Sequence, residues 1–184
     1  MNFAEKLLKL FGWTVTNHLS EGMPKKAVMI AAPHTSLLDF VIGFLAYKVL
    51  HIKAKYLIKK EAFFFPFAGL LKKLGGIPVD RYSKNSIVED VIELFNSQDD
   101  LIITITPEAT RRRVETWKDG YHRIAKGAKV PVAIGYFDFK NKRCGIKQLY
   151  DLQGDATFDT LQIMELYRGI EGKHPEKFYL PPEK

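Results

Sequence analysis

A histidine and an aspartate stand five residues apart in Pro33-His34-Thr35-Ser36-Leu37-Leu38-Asp39. On one continuous helix that spacing turns the two side chains about 140° apart at 3.6 residues per turn. They meet only if His34 sits in the turn before a helix and Asp39 in its first turn. Pro33 and the cap-forming Thr35 and Ser36 favour such a turn. A neutral imidazole held by a carboxylate can act as a general base near neutral pH. Two plainer roles compete. His34 can be a locally bonded turn residue, and Ser36-x-x-Asp39 is itself a capping box.

Three further stretches carry chemistry-bearing residues. In Gly75-Gly76-Ile77-Pro78-Val79-Asp80-Arg81, the glycines permit a tight turn or close approach to a ligand. Arg81 offers a planar fork of donors suited to phosphate, unless it merely pairs with Asp80 at the surface. In Thr106-Pro107-Glu108-Ala109-Thr110-Arg111-Arg112-Arg113, adjacent arginines repel one another unless an anion or carboxylate lies near. There Glu108 can position Arg111 or accept a hydrogen bond from a substrate hydroxyl. A solvated basic loop is the alternative. Lys129-Val130-Pro131-Val132-Ala133-Ile134 is a strand opened by proline, as suited to a core as to a site.

The elements around these stretches alternate. Residues 3–19 predict an amphipathic helix with Phe3, Leu7, Leu10 and Phe11 on one stripe. That helix either docks on the core or lies in a membrane interface, with Trp13 at headgroup depth. Residues 26–32 predict a buried strand, 37–50 a helix, 54–58 a strand and 61–74 a helix broken near Pro66. A short extended piece at 77–79 precedes a helix over 86–97, capped by Ser86 and Glu89. Residues 101–106 predict a central strand, 120–128 a short helix and 130–139 a strand. Residues 143–149 predict an edge strand and 158–171 a last helix, with a frayed, Pro-rich end. Such alternation implies an α/β fold: one domain, with a largely parallel central sheet flanked by helices and an N-terminal amphipathic helix. Its parts are the helix within 1–20, a motif-bearing core over 26–136 and a C-terminal extension over 137–184.

Composition narrows the function classes. Of 184 residues, 46% are hydrophobic and 27% charged, a globular balance that excludes wholesale disorder. One cysteine, Cys144, excludes an intrachain disulfide framework and fits a reducing compartment. The net charge of +7 suggests an anionic partner such as a lipid surface, a phosphorylated substrate or nucleic acid. No apolar stretch reaches the ~20 residues a membrane span needs, and the N-terminus lacks signal-peptide character. The expectation is a cytoplasmic protein. No helix-turn-helix, zinc finger or aromatic RNA-binding strand supports nucleic acid as the partner.

Taken in order, the four stretches resemble the motif blocks of the glycerolphosphate and lysophosphatidate acyltransferase family, as a short bacterial member. Those blocks read H-x-x-x-x-D, G-x-I-x-x-x-R, F-P-E-G-T-R-S and V-P-I/V-x-P. His34 and Asp39 match the first; Gly76, Ile77 and Arg81 the second; Pro107, Glu108, Thr110 and Arg111 the third; Val130, Pro131 and Val132 the fourth. Ala109 stands where the family has glycine, which argues against a left-handed backbone there. Thr106 and Arg112 also depart from the pattern, and the fourth block lacks its second proline, with Ile134 and Gly135 in that region.

The resemblance implies acyl transfer from a thioester, acyl-CoA or acyl-carrier protein, to the hydroxyl of a phosphate-bearing glycerolipid such as lysophosphatidate, in phospholipid biosynthesis. His34 would be the general base and Asp39 its orienting partner. Arg81 and Arg111 would hold the phosphate, with Glu108, Thr110 and Gly76 shaping that site. No cofactor or metal is implied. An acylated acceptor places the enzyme at the inner face of the cell membrane, against anionic lipids. The helix within 1–20 and Phe63-Phe64-Phe65-Pro66-Phe67, flanked by Lys59, Lys60, Lys72 and Lys73, are the candidate insertion elements. Phe44, Phe64 or Phe67 would line a tunnel measuring the chain. Rivals are the same chemistry on a different lipid acceptor, a hydrolase, and a non-catalytic membrane-surface binding protein.

Overall fold

The computed structural model describes residues 2–79 and 87–182. In chain order the elements are α1 (Phe3–Leu10), β1 (Thr14–Asn17), β2 (Lys26–Ala32), α2 (Leu38–Val49), β3 (Ala54–Lys59), α3 (Phe67–Lys73) and β4 (Gly76–Val79). Then follow α4 (Ile87–Ser97), β5 (Leu101–Ile105), α5 (Gly120–Ala128), β6 (Val132–Asp138), β7 (Arg143–Tyr150) and α6 (Ala156–Glu165). Among the described residues the strands form one seven-stranded sheet in the order β1-β7-β6-β2-β5-β3-β4. Strands β6, β2, β5, β3 and β4 run parallel, whereas β7 is antiparallel to β6 and β1 is parallel to β7.

β2 lies between β5 and β6 and is covered on both faces, which explains its unbroken apolar run. Val28, Ile30 and Ala32 join a core with Val91 and Phe95 of α4, Tyr121 and Ile124 of α5, and Ile163 of α6. The alternate residues Ala27, Met29 and Ala31 face the other layer, where α1 and α2 supply Leu8, Ile42, Ala46 and Tyr47. The period of two therefore sorts one strand between two helical layers. Both α2 and the loop after β5 begin at carboxyl ends of adjacent central strands, where ligands of open α/β sheets bind.

Several boundaries depart from expectation for local reasons. The first helix ends at Leu10 rather than continuing to 19. Gly12 takes a left-handed φ of 78°, and the β-branched Thr14, Val15 and Thr16 pair as β1 with β7. β7 is consequently not the edge strand; β1 is. The helix docks through Ala4 and Leu8, leaving Phe3, Leu10 and Phe11 exposed. Trp13 is buried edge-on against Phe139, 4.9 Å between ring centroids, so it does not sit at headgroup depth.

The segment over 61–74 splits into a 3-10 turn, Lys60–Ala62, and α3 after Pro66. The last helix starts earlier than expected, at Ala156, because Asp155 caps it through Phe158 N–H at 2.8 Å. The described part of the C-terminal segment is docked rather than frayed. Phe178 packs on Trp117 and Tyr167, and Arg113 lies over the Tyr179 ring at 5.2 Å. The expectations placed on Arg81 and Ser86, and on the side chains of Lys59 and Phe67, fall outside the described residues.

Candidate active site

Asp39 enters α2 at its second position and folds its carboxylate back over the preceding turn. Its Oδ2 accepts the N–H groups of Thr35 at 2.7 Å and Ser36 at 2.8 Å. The same oxygen lies 3.2 Å from His34 Nδ1. Ser36 Oγ in turn accepts the Leu38 N–H at 3.2 Å. One carboxylate thus holds both the backbone of the turn before α2 and the His34 ring, whereas α2 itself starts after Leu37 without a side-chain cap. Burial to 1% exposure would be costly for a lone charge; the N–H donors and the helix N-terminus offset it. The His34 ring remains reachable, with 22% of its side chain exposed.

Glu108 approaches from the loop after β5. It is buried, and its Oε1 accepts the backbone N–H of His34 at 2.8 Å. Its Oε2 is buried without a partner, and desolvation pushes the carboxyl up to about 7, although the His34 N–H acts in the opposite direction. Among the described residues Glu108 makes no ion pair with Arg111, the role its spacing suggested. Ala109, next to it, adopts φ 55°, so the left-handed backbone persists without glycine.

An apolar cavity of about 430 Å³ opens beside His34 and Asp39. It follows α2 past Phe40, Gly43 and Phe44 to Tyr47, with Tyr56 and Leu57 of β3 opposite. Asp39, Gly43 and Tyr47 recur every four residues, which puts them on one helix face. Gly43 leaves necessary room: a Cβ there would come within 3.0 Å of the Phe137 ring. Thr104 donates to the Tyr47 hydroxyl at 3.2 Å, and burial pushes that phenol up to about 12. Phe44 lines the cavity as expected, whereas Phe64 does not.

Thr110 and Arg111 line a separate cleft of about 450 Å³ against Thr35, Ser36 and Leu37. Gly76 lines neither space. It sits in β4, where a Cβ would meet the Leu71 carbonyl at 2.9 Å and Ile58 Cδ1 at 2.8 Å, so packing explains it. Val132 is core, and Pro131 contributes its carbonyl to Val28 N–H at 3.1 Å. Among the described residues no group of three His, Cys, Asp or Glu side chains is placed to hold a metal ion.

Sequence spacing missed Tyr47, Tyr56 and Thr104, which line the cavity because α2 faces strands distant in sequence. The four-residue recurrence from Asp39 to Tyr47 was the available signal.

The fold is similar to that of the crystal structure of the 1-acyl-sn-glycerophosphate (LPA) acyltransferase PlsC from Thermotoga maritima, with TM-score 0.60 and 19% identity. That likeness covers 89% of this chain and 73% of the other. The family described as acyltransferase matches residues 14–134, the span that holds the His34–Asp39 pair, Glu108 and most of the sheet. The chain belongs to the acyltransferase family.

Proposed function

We propose that the chain transfers a fatty acyl group from a thioester, carried on coenzyme A or an acyl-carrier protein, to the hydroxyl of a phosphate-bearing glycerolipid such as lysophosphatidate. The observation that carries this is the 3.2 Å contact between His34 Nδ1 and buried Asp39 at the mouth of the apolar cavity. With a proton on Nδ1 shared with Asp39, Nε2 is the base. It takes the acceptor's hydroxyl proton as that oxygen attacks the thioester carbonyl. Collapse of the tetrahedral intermediate breaks the carbon–sulfur bond, and the imidazolium returns its proton to the departing thiolate. Asp39 stabilises the imidazolium between these steps. The acyl chain occupies the cavity along α2. Arg111 and, outside the described residues, Arg81 hold the acceptor phosphate.

The enzyme works at a membrane surface, on the inner face of the cell membrane. No helix among the described residues is long and apolar enough to cross a membrane. However, Leu37, Leu38 and Val41 are exposed at the start of α2 beside His34. Leu10 at the end of α1, Phe11 just after it, and Phe64 and Phe65 before α3, are exposed as well. Large apolar side chains next to a site for lipid suit interfacial insertion, and the net charge of +7 suits anionic headgroups.

The test is incubation of purified protein with mixed lysolipid acceptors and both donor types, with products identified by mass. An acylated phospholipid that disappears with His34→Ala supports the proposal. Free fatty acid as the sole product would make the protein a hydrolase, and no product with any donor would leave a non-catalytic binding protein.

A further inference from the structure

The cleft beyond Arg111 is completed by the C-terminal segment, outside all four motifs. Arg111, Arg112, His174 and Lys177 line it together with the turn at Thr35 and Ser36. No Asp or Glu is among its lining residues. Among the described residues Arg111, Arg112 and Lys177 form no ion pair, and the carboxylate of Glu176 stands 3.8 Å from His174 Nδ1. Three permanent positive charges facing one concavity repel each other, and an anion between them relieves that repulsion.

The segment that brings His174 and Lys177 is firmly seated. His174 N–H donates to Thr35 Oγ1 at 3.2 Å, and Thr35 is buried. Gly172 lies so close to the turn that a Cβ would come 2.8 Å from Thr35 Oγ1 and 3.1 Å from Pro33 Cβ. Phe139 N–H binds the Glu171 carbonyl at 2.8 Å. Beyond the cations, Phe178 packs on Trp117 and Tyr167. Lys177 is half-buried rather than waving in solvent. Anchoring reduces the side-chain entropy that ligand binding would otherwise cost.

We infer that this strap, through Lys177 and His174, completes a phosphate-binding cleft with Arg111 and Arg112 and so sets the acceptor's headgroup specificity. This rests on the acyl-transfer proposal above, because the cleft borders the turn that carries His34. Arg111 and Arg112 provide planar forks of N–H donors for phosphate oxygens, and Lys177 adds a point charge from the C-terminal strap. A phosphate could also belong to the donor, so the acceptor is distinguished by experiment.

The experiment uses the full chain and Lys177→Ala, Lys177→Arg and His174→Ala variants. Binding of sn-glycerol 3-phosphate, a soluble headgroup, is followed by calorimetry without any acyl donor. Tryptophan fluorescence, in which Trp117 senses Phe178, checks that the strap stays docked. The expected result is about tenfold weaker binding for Lys177→Ala, a smaller loss for His174→Ala, and near-recovery with Lys177→Arg. In steady-state transfer, Lys177→Ala should raise KM for lysophosphatidate about tenfold while KM for the donor changes less than twofold. Equal binding by wild type and Lys177→Ala overturns the inference, as does no binding by wild type. A raised donor KM with an unchanged acceptor KM overturns it too, reassigning the cleft to the donor's phosphates. If the wild type binds glycerol 3-phosphate through Lys177 but transfers no acyl group, the acyl-transfer proposal fails and the phosphate cleft stands.

Discussion

Glu108 holds the backbone of His34, not its ring: Oε1 accepts the His34 N–H at 2.8 Å. One buried carboxyl thus ties the loop after β5 to the turn after β2, fixing the two motifs relative to each other. The carboxyl's other oxygen has no partner, so ionisation is disfavoured in the folded state.

A pH dependence follows. The folded-state value of about 7 stands above the ordinary 4.5, so the native protein binds this proton more tightly than the unfolded chain. The stability it contributes is complete below about pH 4.5 and is lost as pH rises through 7. Glu108→Gln keeps an acceptor for His34 N–H and removes the charge. Urea unfolding of the variant minus wild type should therefore grow more favourable to the variant across that window, by on the order of 3 kcal/mol at most. A difference that stays flat with pH contradicts the assignment.

For the His34–Asp39 pair, the two partners should separate cleanly. His34→Ala should lower acyl transfer at least about 100-fold with little change in thermal midpoint, since the ring is partly exposed. Asp39→Asn should lower both the rate and the stability, the latter by about 1 kcal/mol, because the same buried oxygen holds the Thr35 and Ser36 N–H groups. Rates and melting curves on both variants measure this. A fully active His34→Ala protein would remove the general base.

Ala109 offers a test of backbone conformation. At φ 55° an L-residue with a Cβ is less comfortable than glycine. Ala109→Gly should raise the thermal midpoint by about 2 °C after the unfolded-state entropy offsets part of the gain. Ala109→Val should lower it. A glycine variant less stable than the valine variant would contradict the left-handed geometry.

Chain-length preference should follow the cavity beside α2. Phe44→Ala enlarges it, and Phe44→Trp shortens it, without touching His34. Competition among donors of different chain lengths, read by product mass, should shift towards longer chains in the first and shorter in the second. Identical product profiles would place the chain elsewhere.

Membrane contact should depend on Phe65, which is 93% exposed. Phe65→Asp should reduce sedimentation with anionic vesicles severalfold, and salt should weaken wild-type binding. Equal sedimentation by wild type and variant would remove this loop from the interface.

Much of this organisation is legible from residue type and spacing. β2 is visible because a central parallel strand, covered on both faces, must be apolar throughout. The His34–Asp39 contact is visible because only a turn-then-helix arrangement can close a five-residue gap. β1 escapes because four residues gain their partner only from β7, near the other end of the chain. The orientation of α1 escapes because the helix carries apolar residues on two faces, and only docking on α2 selects the one with Ala4 and Leu8. The strap escapes because prolines and charges advertise disorder, while Phe178 and Tyr179 supply the anchors.

Strand β1 also has a bearing on how the chain is made. Thr14 takes its place beside Arg143, so the sheet cannot be finished at that border until nearly the whole polypeptide has left the ribosome. Helix α1 packs on α2, which follows closely in sequence, so that pair can form early while Thr14–Asn17 waits for its neighbour.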